Sequence, residues 1–145
     1  MGMGRCDFRK LQQLADNINA LQNGVANDFT KSVAHEIALR LIRRIKQRTP
    51  VRTGALRNGW NIGNIRHTGS TYIVEIICPL EYASYVEYGH RQTPGRYVPA
   101  IGKRLKASWV NGRFMMTISL SEIEAQVPAI IEARVWKELR RCFNC

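Results

Sequence analysis

The sequence predicts an α+β fold: N-terminal helices, a small antiparallel β-sheet with a long loop, and a C-terminal helix. Apolar residues recur at three- and four-residue steps in the first third and the last fifth of the chain, but alternate in the middle. Glycine and proline gather between these stretches rather than inside them. With 145 residues, 45% of them hydrophobic, the chain has material for one core and not for two. A single domain over 1–145 is expected, with helices at about 7–48, sheet and loop at about 57–118 and the last helix at about 119–142.

The first segment reads as a helix capped by Asp7, with Phe8, Leu11, Leu14, Ile18 and Leu21 on one face. Asn23-Gly24 is a stop or a break. A longer helix follows over about Asp28–Arg48, where Phe29, Val33, Ile37, Leu41 and Ile45 step by four and Ala34, Ala38 and Ile42 widen the stripe. Arg43, Arg44, Lys46 and Arg48 complement the negative end of its dipole. Thr49-Pro50 ends it, because a residue before proline disfavours the helical region.

After a Thr53-Gly54 turn the period becomes two. Trp60, Ile62 and Ile65 lie in a short strand-like stretch, and His67-Thr68-Gly69 reads as a hairpin connection. Ser70–Cys78 is the clearest strand, with Tyr72, Val74 and Ile76 on one face and Ile73, Glu75 and Ile77 on the other. Apolar residues on both faces imply a central strand or one covered by a partner. Leu80–Tyr88 fits a helical turn or a strand. Gly89–Lys106, punctuated by Gly89, Pro94, Gly95, Pro99 and Gly102, reads mostly as a long loop, a kind that compact domains keep for function or mobility.

Trp109–Met115 contains Asn111-Gly112, the signature of a tight hairpin. The last helix is predicted to start at Ser119 or Ser121, each with a glutamate three residues on, as in a capping box. Ile123, Val127, Ile130, Ile131, Val135 and Leu139 form its apolar face, and Pro128 is expected to kink or divide it.

Charge separates function classes more sharply than composition. Lys and Arg outnumber Asp and Glu by 22 to 11, a formal net charge of +11. No acid occurs from Ile37 to Val74 or from Tyr88 to Ser121, although both stretches are rich in Arg and Lys. Such fields seek a polyanion: nucleic acid, an acidic membrane surface or an acidic protein neighbour. No apolar run reaches the ~20 residues that cross a bilayer, and the N-terminus lacks a secretory apolar segment. A cytoplasmic site of synthesis is expected, where Cys6, Cys78, Cys142 and Cys145 would be free thiols. Cys142-x-x-Cys145 has the spacing of half a zinc site, but no second pair completes it.

Catalytic signatures are missing: no Gly-x-Ser-x-Gly, His-Glu-x-x-His or phosphate-binding glycine loop occurs. His35, His67 and His90 fall in a helix, a turn and the long loop. Glu81 and Glu87 could be imagined as a nuclease pair with His90, though two glutamates six apart in one segment are ordinary. Basic residues interleaved with Tyr82, Tyr85, Tyr88 and Tyr97 superficially suit single-strand stacking, yet no RNA-recognition, zinc-finger or helix-turn-helix signature accompanies them. No enzymatic activity, cofactor or metal is expected.

Three phrases, taken in order, resemble one family. Thr49-Pro50-Val51-Arg52-Thr53-Gly54-Ala55-Leu56-Arg57-Asn58-Gly59-Trp60 resembles the element that follows the long N-terminal helix in lambdoid-type phage neck and tail-completion proteins. Tyr82-Ala83-Ser84-Tyr85-Val86-Glu87-Tyr88-Gly89-His90 resembles a second element of that family. Trp109–Met115 followed by a capped helix resembles its ending. The likeness covers roughly residues 30–140.

The resemblance implies a structural virion protein, assembled in host cytoplasm, that joins tail to DNA-filled head. It implies a homo-oligomeric ring, commonly six-fold, around the DNA channel. The implied neighbours are a head-closure or connector protein and a tail terminator or tail-tube protein, with non-specific contact to double-stranded DNA and no membrane. On that footing Trp60, Tyr82, Tyr85 and Trp109 are expected to brace the sheet and its interfaces. Arg91, Arg96, Lys103, Arg104 and Lys106 are expected to face a channel or a neighbouring ring. The basic nucleic-acid-binding protein of phage or prophage origin is the alternative.

Overall fold

The computed structural model describes residues 16, 19, 26–69 and 71–143. Within the predicted first helix only Asp16 and Asn19 are described, both helical. Its cap and apolar stripe, the Asn23-Gly24 break, Ser70, Cys6 and Cys145 lie outside the described residues.

The long helix α1 spans Ala26–Arg48. The predicted stripe is the one it buries: Val33, Ala38, Leu41, Ile42 and Ile45 are withdrawn from solvent. The helix ends before Thr49, whose hydroxyl donates back to the Ile45 carbonyl at 2.7 Å before Pro50 forbids another turn. Gly54 adopts φ 83°, a left-handed conformation that glycine enters without penalty. It opens a five-residue helix, α2 (Ala55–Gly59), where a strand-like stretch was expected to begin. Trp60 stands at the corner after α2 and is 5% exposed.

Strands β1 (Asn61–Thr68) and β2 (Thr71–Ile77) form the predicted antiparallel hairpin, with Ile62 opposite Ile76 and His67 opposite Tyr72. His67 and Tyr72 stack with ring centroids 4.3 Å apart. β2 is not a central strand, because among the described residues it pairs with β1 alone. Tyr72, Val74 and Ile76 lie partly buried on the side of α1, whereas Ile73 and Ile77 are exposed. Leu80 accepts a hydrogen bond from the Ala83 amide and starts α3 (Ala83–Tyr88), which settles that ambiguous segment as helix.

The predicted long loop is not a loop. Two nested ladders fold it into a narrow antiparallel arm: β3 (Gly89–Arg91) pairs with β6 (Trp109–Asn111), and β4 (Tyr97–Val98) with β5 (Lys103–Arg104). Its tip is a 3₁₀ turn over Pro99–Ile101. The α+β class holds, and among the described residues the strands pair in three two-stranded antiparallel ladders. The hairpin expected at Asn111-Gly112 is absent, since Asn111 pairs back with Gly89. The chain then enters α4, an unbroken helix over Met115–Phe143. α4 begins four residues before Ser119, and Pro128 does not divide it.

The core lies where α1, α4 and the start of α2 meet. Leu41, Ile45, Leu56, Trp60, Ala83, Met115 and Ile123 form one buried cluster, with Ile37, Ile76, Cys78, Leu80 and Val127 packed around it. Ile45 and Met115 are wholly enclosed. Burying such side chains contributes about 1.5–3 kcal/mol each. No helix among the described residues is long and apolar enough to cross a membrane.

Candidate functional site

Glu87 lies in the last turn of α3 and is 5% exposed, and its carboxylate is aimed at the first turn of α4. One oxygen accepts the Met116 amide at 2.9 Å. The other accepts the Thr117 amide at 2.9 Å and the Thr117 hydroxyl at 2.7 Å. The first amides of a helix have no partner inside it and carry the positive end of its dipole. A buried anion there satisfies two of them, a cap supplied from some thirty residues upstream. The main chain adds two more bonds, from Arg113 N to Val86 O (2.8 Å) and from Phe114 N to Glu87 O (3.0 Å). Ser119, the expected cap, sits inside the helix instead. It is buried and its hydroxyl donates to the Met115 carbonyl at 2.5 Å.

Two glycines let the strands of the joint cross. A Cβ on Gly89 (φ 84°) would lie 2.3 Å from the Val110 carbonyl oxygen, and one on Gly112 would lie 2.3 Å from the Glu87 carbonyl oxygen. Only residues without a Cβ permit that approach. The arm is thus rooted rigidly at the junction of α3 and α4.

Beyond the root the backbone pairs along most of the arm. Gln92 N donates to Ser108 O (2.9 Å), Gly95 N to Leu105 O (2.8 Å) and Leu105 N to Arg96 O (2.8 Å). Arg104 donates from its guanidinium to the Gly95 carbonyl at 2.8 Å. Arg91, Arg96, Lys103, Arg104 and Lys106 are all exposed, and none forms an ion pair among the described residues. The structure brings these five onto one projection. Tyr97, Ile101 and Trp109 stand exposed among them. No other described element packs broadly against β4 or β5.

The four expected anchors divide. Trp60 braces the core. Tyr82, Tyr85 and Trp109 are 43%, 57% and 51% exposed, so they do not brace the interior of this chain. Tyr85 meets His90 edge to face, with centroids 5.8 Å apart. Of the imagined Glu81, Glu87 and His90, Glu81 is exposed, while both oxygens of Glu87 accept hydrogen bonds from the start of α4.

Sequence reasoning missed that two of its phrases meet in space. Pro50, Val51, Thr53, Leu56, Tyr82 and Val86 line one open, mainly apolar groove of about 520 Å³. A second basic surface lies on α1, where Arg40, Arg43, Arg44 and Gln47 border a shallow groove shared with Ile123 and Gln126 of α4. Glu36 pairs with Arg40 (2.8 Å) and Arg134 (3.3 Å), and Glu122 with Arg48. Arg43 and Arg44 have no acidic partner among the described residues.

Compared with known families, residues 12–89 match one described as "Bacteriophage HK97-gp10, putative tail-component". The match includes α1, the Thr49–Trp60 phrase and the segment through Glu87 to Gly89, where the arm departs. No curated protein and no solved structure matches the chain.

Proposed function

The chain belongs to the family of bacteriophage HK97 gp10-like tail components, and on that premise we propose that it is a ring-forming subunit at the head–tail junction. It works through its interfaces, without turnover, and holds tail to filled head around the DNA channel. The carrying observation is the arm: five cations, no acid and three exposed apolar side chains on a projection that its own fold does not cover. Backbone pairing holds that projection ready, so little ordering cost remains when a neighbour arrives. The expected neighbours are other copies, a connector or head-closure protein, and a terminator or tube protein.

Deleting the gene tests this. The expected outcome is DNA-filled heads beside unattached tails, restored by supplying the wild-type chain. Normally joined particles in the deletion would end the proposal.

A second reading, direct binding of DNA by the single chain, is favoured by Arg43 and Arg44 on α1. It requires isolated monomer to bind duplex DNA with affinity falling steeply as salt rises, because each neutralised phosphate releases counterions. Reversing Arg43 and Arg44 to Glu should then reduce that slope, whereas an unchanged slope would remove α1 from the contact.

A further inference from the structure

The same chain carries a surface complementary to the arm, and no described strand of the arm packs broadly against it. Along α4, Leu120, Glu124, Ile131 and Val135 recur at steps of four, seven and four, which places them on one side of the helix. All four are exposed. Glu132 lies at the edge of this stripe. Neither Glu124 nor Glu132 has an ion-pair partner among the described residues, unlike Glu36, Glu75, Glu122 and Glu138. From Phe114 to Ala133 the helix carries no Lys or Arg, just as the arm carries no Asp or Glu.

We infer that the arm of one copy docks on this acidic, apolar face of α4 in the next copy. The inference rests on the ring reading and gives it a named interface. Exposed Tyr97, Ile101 and Trp109 would meet Leu120, Ile131 and Val135, while Arg96 and Lys103 approach Glu124 and Glu132. Complementary patches at different places on one molecule make a head-to-tail contact, which closes into a ring or propagates as a fibre. The Glu87 joint fixes the root of the arm to the start of α4, so every copy presents donor and acceptor surfaces in one relation. Charge then selects the register, since like charges brought together oppose the wrong pairing.

The test is a charge swap on the full chain, read by light scattering during gel filtration and by native mass spectrometry. Arg96→Glu with Lys103→Glu reverses the arm, leaving Arg104 to its Gly95 contact. Glu124→Lys with Glu132→Lys reverses the helix face. Each double variant should need on the order of tenfold more protein to assemble. The quadruple variant should recover assembly, and an equimolar mixture of the two doubles should co-assemble with copies alternating. Unchanged thermal unfolding of each variant, taken where it is monomeric, shows that folding is intact. Assembly of the helix-reversed chain at the wild-type concentration, or a folded quadruple variant no better than the doubles, overturns the arm-to-helix contact alone. A wild-type chain that stays monomeric at every concentration, by itself and with head or tail components, overturns the ring reading with it.

Discussion

Removing the Glu87 carboxylate would strand the amides of Met116 and Thr117 in a buried joint. Hydrogen bonds to a charged acceptor are worth about 1.5–3 kcal/mol each, and leaving their donors unsatisfied adds desolvation cost. Glu87→Ala should therefore destabilise the chain by roughly 3 kcal/mol or more, a fall on the order of 10 °C in Tm by calorimetry. Glu87→Gln should lose less, because one carbonyl oxygen remains to accept. Gly112→Ala should also destabilise, since its Cβ would stand 2.3 Å from a carbonyl oxygen. At Trp60 the indole Nε1 is buried without a hydrogen-bond partner among the described residues. Trp60→Phe removes that cost while keeping a ring, so it should be milder than Trp60→Ala, for which about 3–5 kcal/mol is expected. Equal losses for the two would show that ring size, not the nitrogen, decides. The importance of Trp60 was readable from a large apolar residue behind a sharp turn. The role of Glu87 was not, because its partners lie 29 and 30 residues away and no spacing rule links them.

Helix α1 was legible because its evidence is local: a four-residue apolar repeat, clustered cations at its end and a proline after it. The hairpin of β1 and β2 was legible for the same reason. The arm was not, because strands of two or three residues are too short to show a period, and their pairing spans 89–111. Glycine and proline there mark its turns, which in sequence read as a loop throughout. The start of α4 was misplaced for a related reason. A local capping box at Ser119 or Ser121 competes in sequence with a distant carboxylate, and the distant group wins because it satisfies two amides at once. Accordingly Ser119→Ala should cost only about 1 kcal/mol, the scale of one neutral hydrogen bond, in chemical denaturation. Replacing residues 96–104 with a short Gly/Ser link should leave Tm within a few degrees, because no other described element packs broadly against β4 or β5. The same deletion should abolish assembly. Loss of the fold instead would mean that the tip is structural.

For the whole molecule, charge is distributed rather than merely abundant. Glu36, Glu75, Glu122 and Glu138 pair with nearby arginines, whereas the five cations of the arm and Arg43 and Arg44 of α1 have no acidic partner among the described residues. The two acid-free stretches were plain in the sequence, but the surfaces they form on α1 and on the arm were not, since only the fold says which residues share a surface. If the excess charge serves contacts between copies, assembly should weaken as salt rises from about 0.05 to 0.5 M, as screening shortens the reach of exposed charges. Assembly indifferent to salt would assign the contacts to the exposed apolar side chains alone. The joint at Glu87 has a mechanical consequence as well. Because one carboxylate ties the root of the arm to the first turn of a 29-residue helix, the projection has no hinge at its base. A tug on its tip is passed as leverage along a rod of about 43 Å, so a strain felt at one end of the subunit arrives at the other.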